Sequence, residues 1–109
     1  MSVSLTEQAV VERRKTVTRR KGWAFLKPGD RLTLCRKVMG RRKGEPLVRL
    51  AEVEVVSVCR EPLHHITAED VAREGFADWT PIRFMQFFVD HMNVEPYADV
   101  TRIEWRYLS

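Results

Sequence analysis

Three short runs of cations carry the first chemical signal: Arg13-Arg14-Lys15, Arg19-Arg20-Lys21 and Arg41-Arg42-Lys43. Clustered Lys and Arg neutralise phosphates, and such contacts anchor a protein on a polyanion without reading its sequence. The expected phosphate contacts are Arg14, Arg19, Arg20, Lys21, Arg41, Arg42 and Lys43. Trp23 follows the second run closely. An aromatic ring beside cations can stack an unpaired base. Trp23 therefore reads either as a base platform or as a core residue. Arg41-Arg42-Lys43 reads either as a phosphate contact or as a solvated hairpin tip.

The whole chain supports the electrostatic reading. Residues 1–50 hold fourteen Lys and Arg against four Asp and Glu, a net +10, whereas residues 51–109 hold five against eleven, a net −6. A chain polarised in this way suggests one basic face that meets an anion, most simply a nucleic acid. Other chemistries find less support. His64-His65 and Cys59 do not have zinc-ligand spacing, and adjacent histidines rarely ligate one ion. Neither a metal nor a cofactor is expected. There is no dinucleotide, P-loop, serine-hydrolase or zinc-protease motif.

With 109 residues, 44% hydrophobic and 31% charged, the expectation is a single globular domain over 1–109. No apolar run approaches the ~18 residues of a membrane span, and the N-terminus lacks a signal-peptide core. The two cysteines, Cys35 and Cys59, are far apart and fit a reducing compartment. A cytoplasmic monomer without membrane contact is expected.

Local patterns predict the elements. Residues 1–5 read as a short strand. Ser4-Leu5-Thr6-Glu7 has capping-box spacing, so a short helix should follow to about Arg13. Residues 15–20 are rich in β-branched types and read as extended or looped. After the Pro28-Gly29-Asp30 turn, alternating Leu32 and Leu34 predict a strand over 31–38. A long apolar strand covers 47–59. Thr67 and Gly75 bracket one helix. Thr80-Pro81 opens a second, on which Phe84, Phe87, Phe88 and His91 should line one buried face. Ile103, Trp105 and Tyr107 alternate with charges in a last strand, and Trp105 and Tyr107 should pack on the phenylalanines. The fold class is α+β, a small β-barrel or strongly curved sheet flanked by helices.

Arg14-Lys15-Thr16-Val17-Thr18-Arg19-Arg20, then Trp23, Lys27-Pro28-Gly29-Asp30 and a strand, resemble the ASCH domain. The typical G-x-K-T-x-T-x-R signature appears with Arg13 in place of the glycine. The strand, Glu61-Pro62-Leu63, helix and Glu74-Gly75-Phe76 follow in the family's order, and the resemblance covers nearly the whole chain. It implies a compact barrel related to the PUA RNA-binding domains. It also implies a cleft that recognises RNA or a modified nucleoside. Some members are amidohydrolases that deacetylate N4-acetylcytidine with a Lys, a Thr three residues later and a distant Glu. Lys15, Thr18 and Glu74 match those positions. Other members have been assigned ribonuclease activity, and many have no known activity. The primary expectation is a module that binds RNA or a nucleoside, with the amidohydrolase as alternative and a ribonuclease third.

Amide hydrolysis needs a nucleophile, a base and a group to hold the oxyanion. Thr18 could attack directly or position a water. Lys15 is a base only when neutral. Neighbouring Arg13, Arg14, Arg19 and Arg20, together with burial, push its pKa down. Glu74 could activate water or move a proton to the leaving amine. In an ideal strand Lys15 and Thr18 would point to opposite faces, so the segment must bend for them to meet.

Overall fold

The computed structural model describes residues 1–36 and 44–108. A 3-10 turn over Ser4–Thr6 leads into α1 (Glu7–Val11) and then β1 (Val17–Arg20), β2 (Arg31–Cys35) and β3 (Arg49–Pro62). α2 (Ala68–Arg73), α3 (Pro81–Met92) and β4 (Asp99–Tyr107) complete the chain. All the sheet pairings are antiparallel, in the order β1-β4-β3-β2. The sheet is curved and unclosed, the second of the two forms expected, with β1 and β2 as its edges. Register shifts fall between Val55 and Ser57 against β4 and between Leu34 and Cys35 against β3. Bulges of this kind bend a strand and tighten its twist.

The termini of the helices follow their local chemistry. The Thr67 hydroxyl accepts from Asp70 N at 3.2 Å, and the Thr80 hydroxyl accepts from Arg83 N at 3.1 Å. Pro81 occupies the first turn of α3, where its missing N–H costs nothing. Asn93 stops α3 in the left-handed conformation at φ 52°. The capping box expected at Ser4 does not form, because neither helical turn there has a side-chain cap. The strand expected over 1–5 reduces to a bridge between Ser2 and Cys35. That bridge is held by Val3 N to Cys35 O and Cys35 N to Met1 O, both 2.9 Å.

Two cores lie on opposite faces of β4. Ile103 and Trp105 pack with Val3, Val10, Leu34, Val53 and Val55. Val100, an odd number of residues away, packs with Leu63, Val71, Phe84 and Phe88 under the helices. The strand's two-residue period makes that separation unavoidable. The expected packing of Trp105 and Tyr107 on Phe84, Phe87 and Phe88 is therefore incorrect: the aromatic groups belong to different layers. Phe87 is only half-buried and His91 is exposed, so the buried stripe of α3 is narrower than its spacing suggests.

Candidate functional site

The bend needed to bring Lys15 and Thr18 together is present. Arg13 adopts the left-handed conformation at φ 62°, and β1 does not begin until Val17. Lys15 thus lies outside the strand and escapes its alternation. Its main chain is fixed from two sides. Lys15 N donates to Ala9 O at 3.2 Å, while Trp105 Nε1 and Tyr107 Oη donate to Lys15 O at 3.0 and 2.5 Å. One residue on, Thr16 N donates to Arg73 O at 2.9 Å and ties this segment to the end of α2.

Glu74 arrives from the other direction. It caps the C-terminus of α2, and Gly75 turns the chain at φ +108°. A side chain at Gly75 would also put its Cβ 2.9 Å from that of Ala9. This contact seats α2 against α1 and points Glu74 at Lys15. Lys15 Nζ donates to Glu74 O at 2.7 Å and to Glu74 Oε1 at 3.0 Å. Both residues are 3% exposed, as is Thr18. Burial is the main cause of a lowered Lys15 pKa. The Glu74 carboxylate opposes that shift, and Arg20 and Arg19 add to it.

Lys15, Thr18 and Glu74 line one cavity of about 230 Å³. Arg19 and Arg20 also line it, as does the N-terminal segment Ser2 to Thr6. The remaining wall is apolar, built by Phe76, Phe84, Phe87, Phe88 and Met92. Phe76 is held by Trp79, whose ring lies 4.3 Å away at an interplanar angle of 22°. One wall is thus ionic and hydroxylic, and the other is aromatic. A flat ligand with polar edges suits such a space.

The two arginines after Thr18 take different positions. Arg19 is 3% exposed and meets three carboxylates: Glu61 at 2.6 Å, Asp70 at 2.7 Å and Glu74 at 3.4 Å. Asp70 also binds Arg102, at 2.7 Å. Burial alone would raise the Asp70 pKa, but hydrogen bonds from Arg102 and Arg19 outweigh it and hold the carboxyl at about 2. The terminal nitrogens of Arg19, expected to contact phosphate, are engaged by these carboxylates. Arg20 instead donates from Nε to Thr18 Oγ1 at 3.2 Å and from Nη2 to Ser2 O at 2.9 Å.

Arg14, Lys21 and Trp23 are the other expected nucleic-acid contacts among the described residues. Arg14 is exposed but binds Glu12, with Nη2 to Oε1 at 2.6 Å. Lys21 is exposed. Trp23 fits both of its readings in part, being half-buried against the first core and stacked on Phe25 at 5.6 Å. Arg41, Arg42 and Lys43 lie outside the described residues. Among the described residues, no three His, Cys, Asp or Glu side chains are grouped to hold a metal ion. Nor is any helix long and apolar enough to cross a membrane. Cys35 and Cys59 are both free thiols.

Sequence reasoning missed two parts of this site. The cavity's phenylalanines read as core, because a 3.6-residue stripe is the same whether it meets a core or a ligand. The Glu61–Arg19–Asp70–Arg102 network gave no local signal, since its bonded members are 32 to 51 positions apart.

No protein-family model and no curated protein matches the chain. Solved structures do. A DUF984 protein from Enterococcus faecalis V583 superposes with a TM-score of 0.70 at 16% identity, over 96% of this chain and 71% of that one. The ASCH domain from Lactobacillus crispatus JV V101 gives 0.61 at 13%, over 94% and 70%. ASCH from Zymomonas mobilis gives 0.63 at 15%, over 97% and 64%. The likeness is one of fold. The chain has the fold of an ASCH domain.

Proposed function

We propose that the cavity binds a nucleoside and hydrolyses an acylated exocyclic amine on it, as in N4-acetylcytidine. One observation carries this reading: Lys15 Nζ, buried and 3.0 Å from Glu74 Oε1, shares a cavity wall with Thr18. A neutral amine has two N–H donors and one lone pair, whereas the ammonium has three donors and none. Glu74 O and Oε1 engage two donors. A neutral Lys15 keeps both bonds and retains a lone pair for a proton.

The chemistry follows from these groups. Lys15 Nζ takes a proton from the attacking oxygen, either the Thr18 hydroxyl or a water beside it. That oxygen bonds to the acyl carbon, and the carbonyl electrons move onto oxygen. The C–N bond then breaks, and the proton held by Lys15 passes to the leaving amine. When water attacks, the acid is released directly; when Thr18 attacks, water later cleaves its ester. Glu74 holds Lys15 in place and offsets its charge while it is protonated. The aromatic wall receives the base.

Incubation with N4-acetylcytidine tests the reading. The expected result is release of cytidine and acetate, abolished in Lys15→Ala and in Thr18→Ala. Wild-type protein that binds the nucleoside without releasing acetate would leave a binding site and no enzyme.

A second reading, binding of single-stranded RNA, is favoured by the Trp23–Phe25 pair. Phe25 is 72% exposed and lies near the exposed cation Lys21 in sequence. Stacking there would be salt-dependent if phosphates are also held. An affinity for oligonucleotide that is flat across moderate salt would argue against it.

A further inference from the structure

The cavity carries a cation without a counter-ion. Arg20 is half-buried, and its two hydrogen bonds reach a hydroxyl and a main-chain carbonyl, both neutral. Among the described residues no carboxylate lies within ion-pair distance of it. Glu74 attracts Arg20 from farther away, but its own oxygens are taken by Lys15 at 3.0 Å and Arg19 at 3.4 Å. Arg19 draws two more carboxylates, Glu61 and Asp70, from outside the cavity lining. Around the cavity, Arg19 is thus within ion-pair distance of three carboxylates and Arg20, among the described residues, of none. Burying an unmatched charge is costly, and burial already pushes the Arg20 pKa down. Arg19, which also lines the cavity, keeps its buried Nε without an acceptor among the described residues.

We infer that the ligand of this cavity is an anion, with Arg20 as its counter-ion. Its chemistry is a flat or apolar body against Phe76, Phe84 and Phe87, carrying one phosphate or carboxylate that reaches the guanidinium. The planar fork of arginine suits either anion. On the proposed nucleoside reading the ligand is a nucleoside monophosphate rather than a neutral nucleoside. The inference rests on that reading for the body of the ligand and not for its charge. Arg20 is then the residue that selects the charged form, and its bond to Ser2 O couples occupancy to the N-terminal segment over the cavity.

Calorimetric titration with four probes tests this: cytidine, cytidine 5′-monophosphate, benzoate and its neutral analogue benzamide. Wild-type protein should bind the monophosphate roughly ten- to a hundredfold more tightly than cytidine, the range expected for a charge-assisted contact. Arg20→Gln should erase that preference. Preference for benzoate over benzamide alone, lost in Arg20→Gln, upholds the anion and removes the nucleoside. Equal binding of charged and neutral partners, a preference that survives Arg20→Gln, or no anion binding at all would overturn the inference. If Arg20→Gln does not fold, Arg20→Lys decides. It keeps the charge and loses the fork, so the preference for the anion over its neutral analogue should fall several-fold. An unaltered anion affinity would then refute the role of Arg20.

Discussion

Two buried cationic regions flank β1, and they are handled differently. On one side Arg19 enters a lattice of Glu61, Asp70 and Arg102 that ties β1, β3, α2 and β4 together. On the other, Lys15 and Arg20 face a cavity whose lining carboxylate is Glu74. Strand alternation turns the neighbouring arginines to opposite faces of β1, although Arg19, at the joint, also reaches the cavity lining. Register agrees, since Arg19 pairs with Arg102 and Arg20 with Thr101. The lesson is that matched charge marks a structural joint, while unmatched charge beside a cavity marks a site. Stability should depend on the first region and chemistry on the second.

The largest expected effect lies in the cavity. Lys15→Ala should lower the deacylation rate by about 10²–10⁴-fold, the usual contribution of a general base. Turnover is the readout here, because Lys15→Ala also leaves the buried Glu74 without its lysine and lowers stability. A Lys15→Ala protein with full turnover would break the comparison from the chemical side.

Asp70→Asn is the converse experiment. It leaves two guanidinium groups facing a neutral amide, and removing one partner of a buried pair costs about 3 kcal/mol. Chemical denaturation should show that loss, with cavity binding largely kept. Undiminished stability would show that the lattice is not a joint.

Gly75→Ala sharpens the link between the regions. The substitution forces an L residue to φ +108° and a Cβ to 2.9 Å from that of Ala9. A cost of about 2 kcal/mol is expected. Because Glu74 precedes Gly75, turnover should fall as well, unlike in Asp70→Asn. A change in stability alone would separate the turn from the site.

The smallest effect is in acid. Asp70 is held at about 2, below its ordinary 3.8, so its ionised form stabilises the fold above pH 3.8. That contribution is lost as the pH falls through 2. Melting temperature should decline over this window in the wild type and more shallowly in Asp70→Asn. Parallel declines would remove Asp70 as the source.

The sequence made much of this legible. The helices at Thr67 and Thr80, the strands around Leu32 and Ile103, and the motif residues Lys15, Thr18 and Glu74 could all be read from local chemistry and family order. The convergence of Lys15 with Thr18 could not, because it depends on the left-handed turn at Arg13, a position with no glycine to signal it. Separate cores under Val100 and Ile103 were hidden for another reason. Periodicity gives a face but not the partner that covers it. The fate of Arg19 required knowing that Asp70, Glu61 and Arg102 surround it.

The proposed chemistry requires a neutral, buried Lys15. The chain has five lysines, at positions 15, 21, 27, 37 and 43, so each side-chain amine can be followed by NMR in isotope-labelled protein. One resonance, absent from Lys15→Ala, should titrate below the ordinary lysine value of 10.5. If all five remain ammonium at the pH of the deacylation assay, the base assigned to this site does not exist.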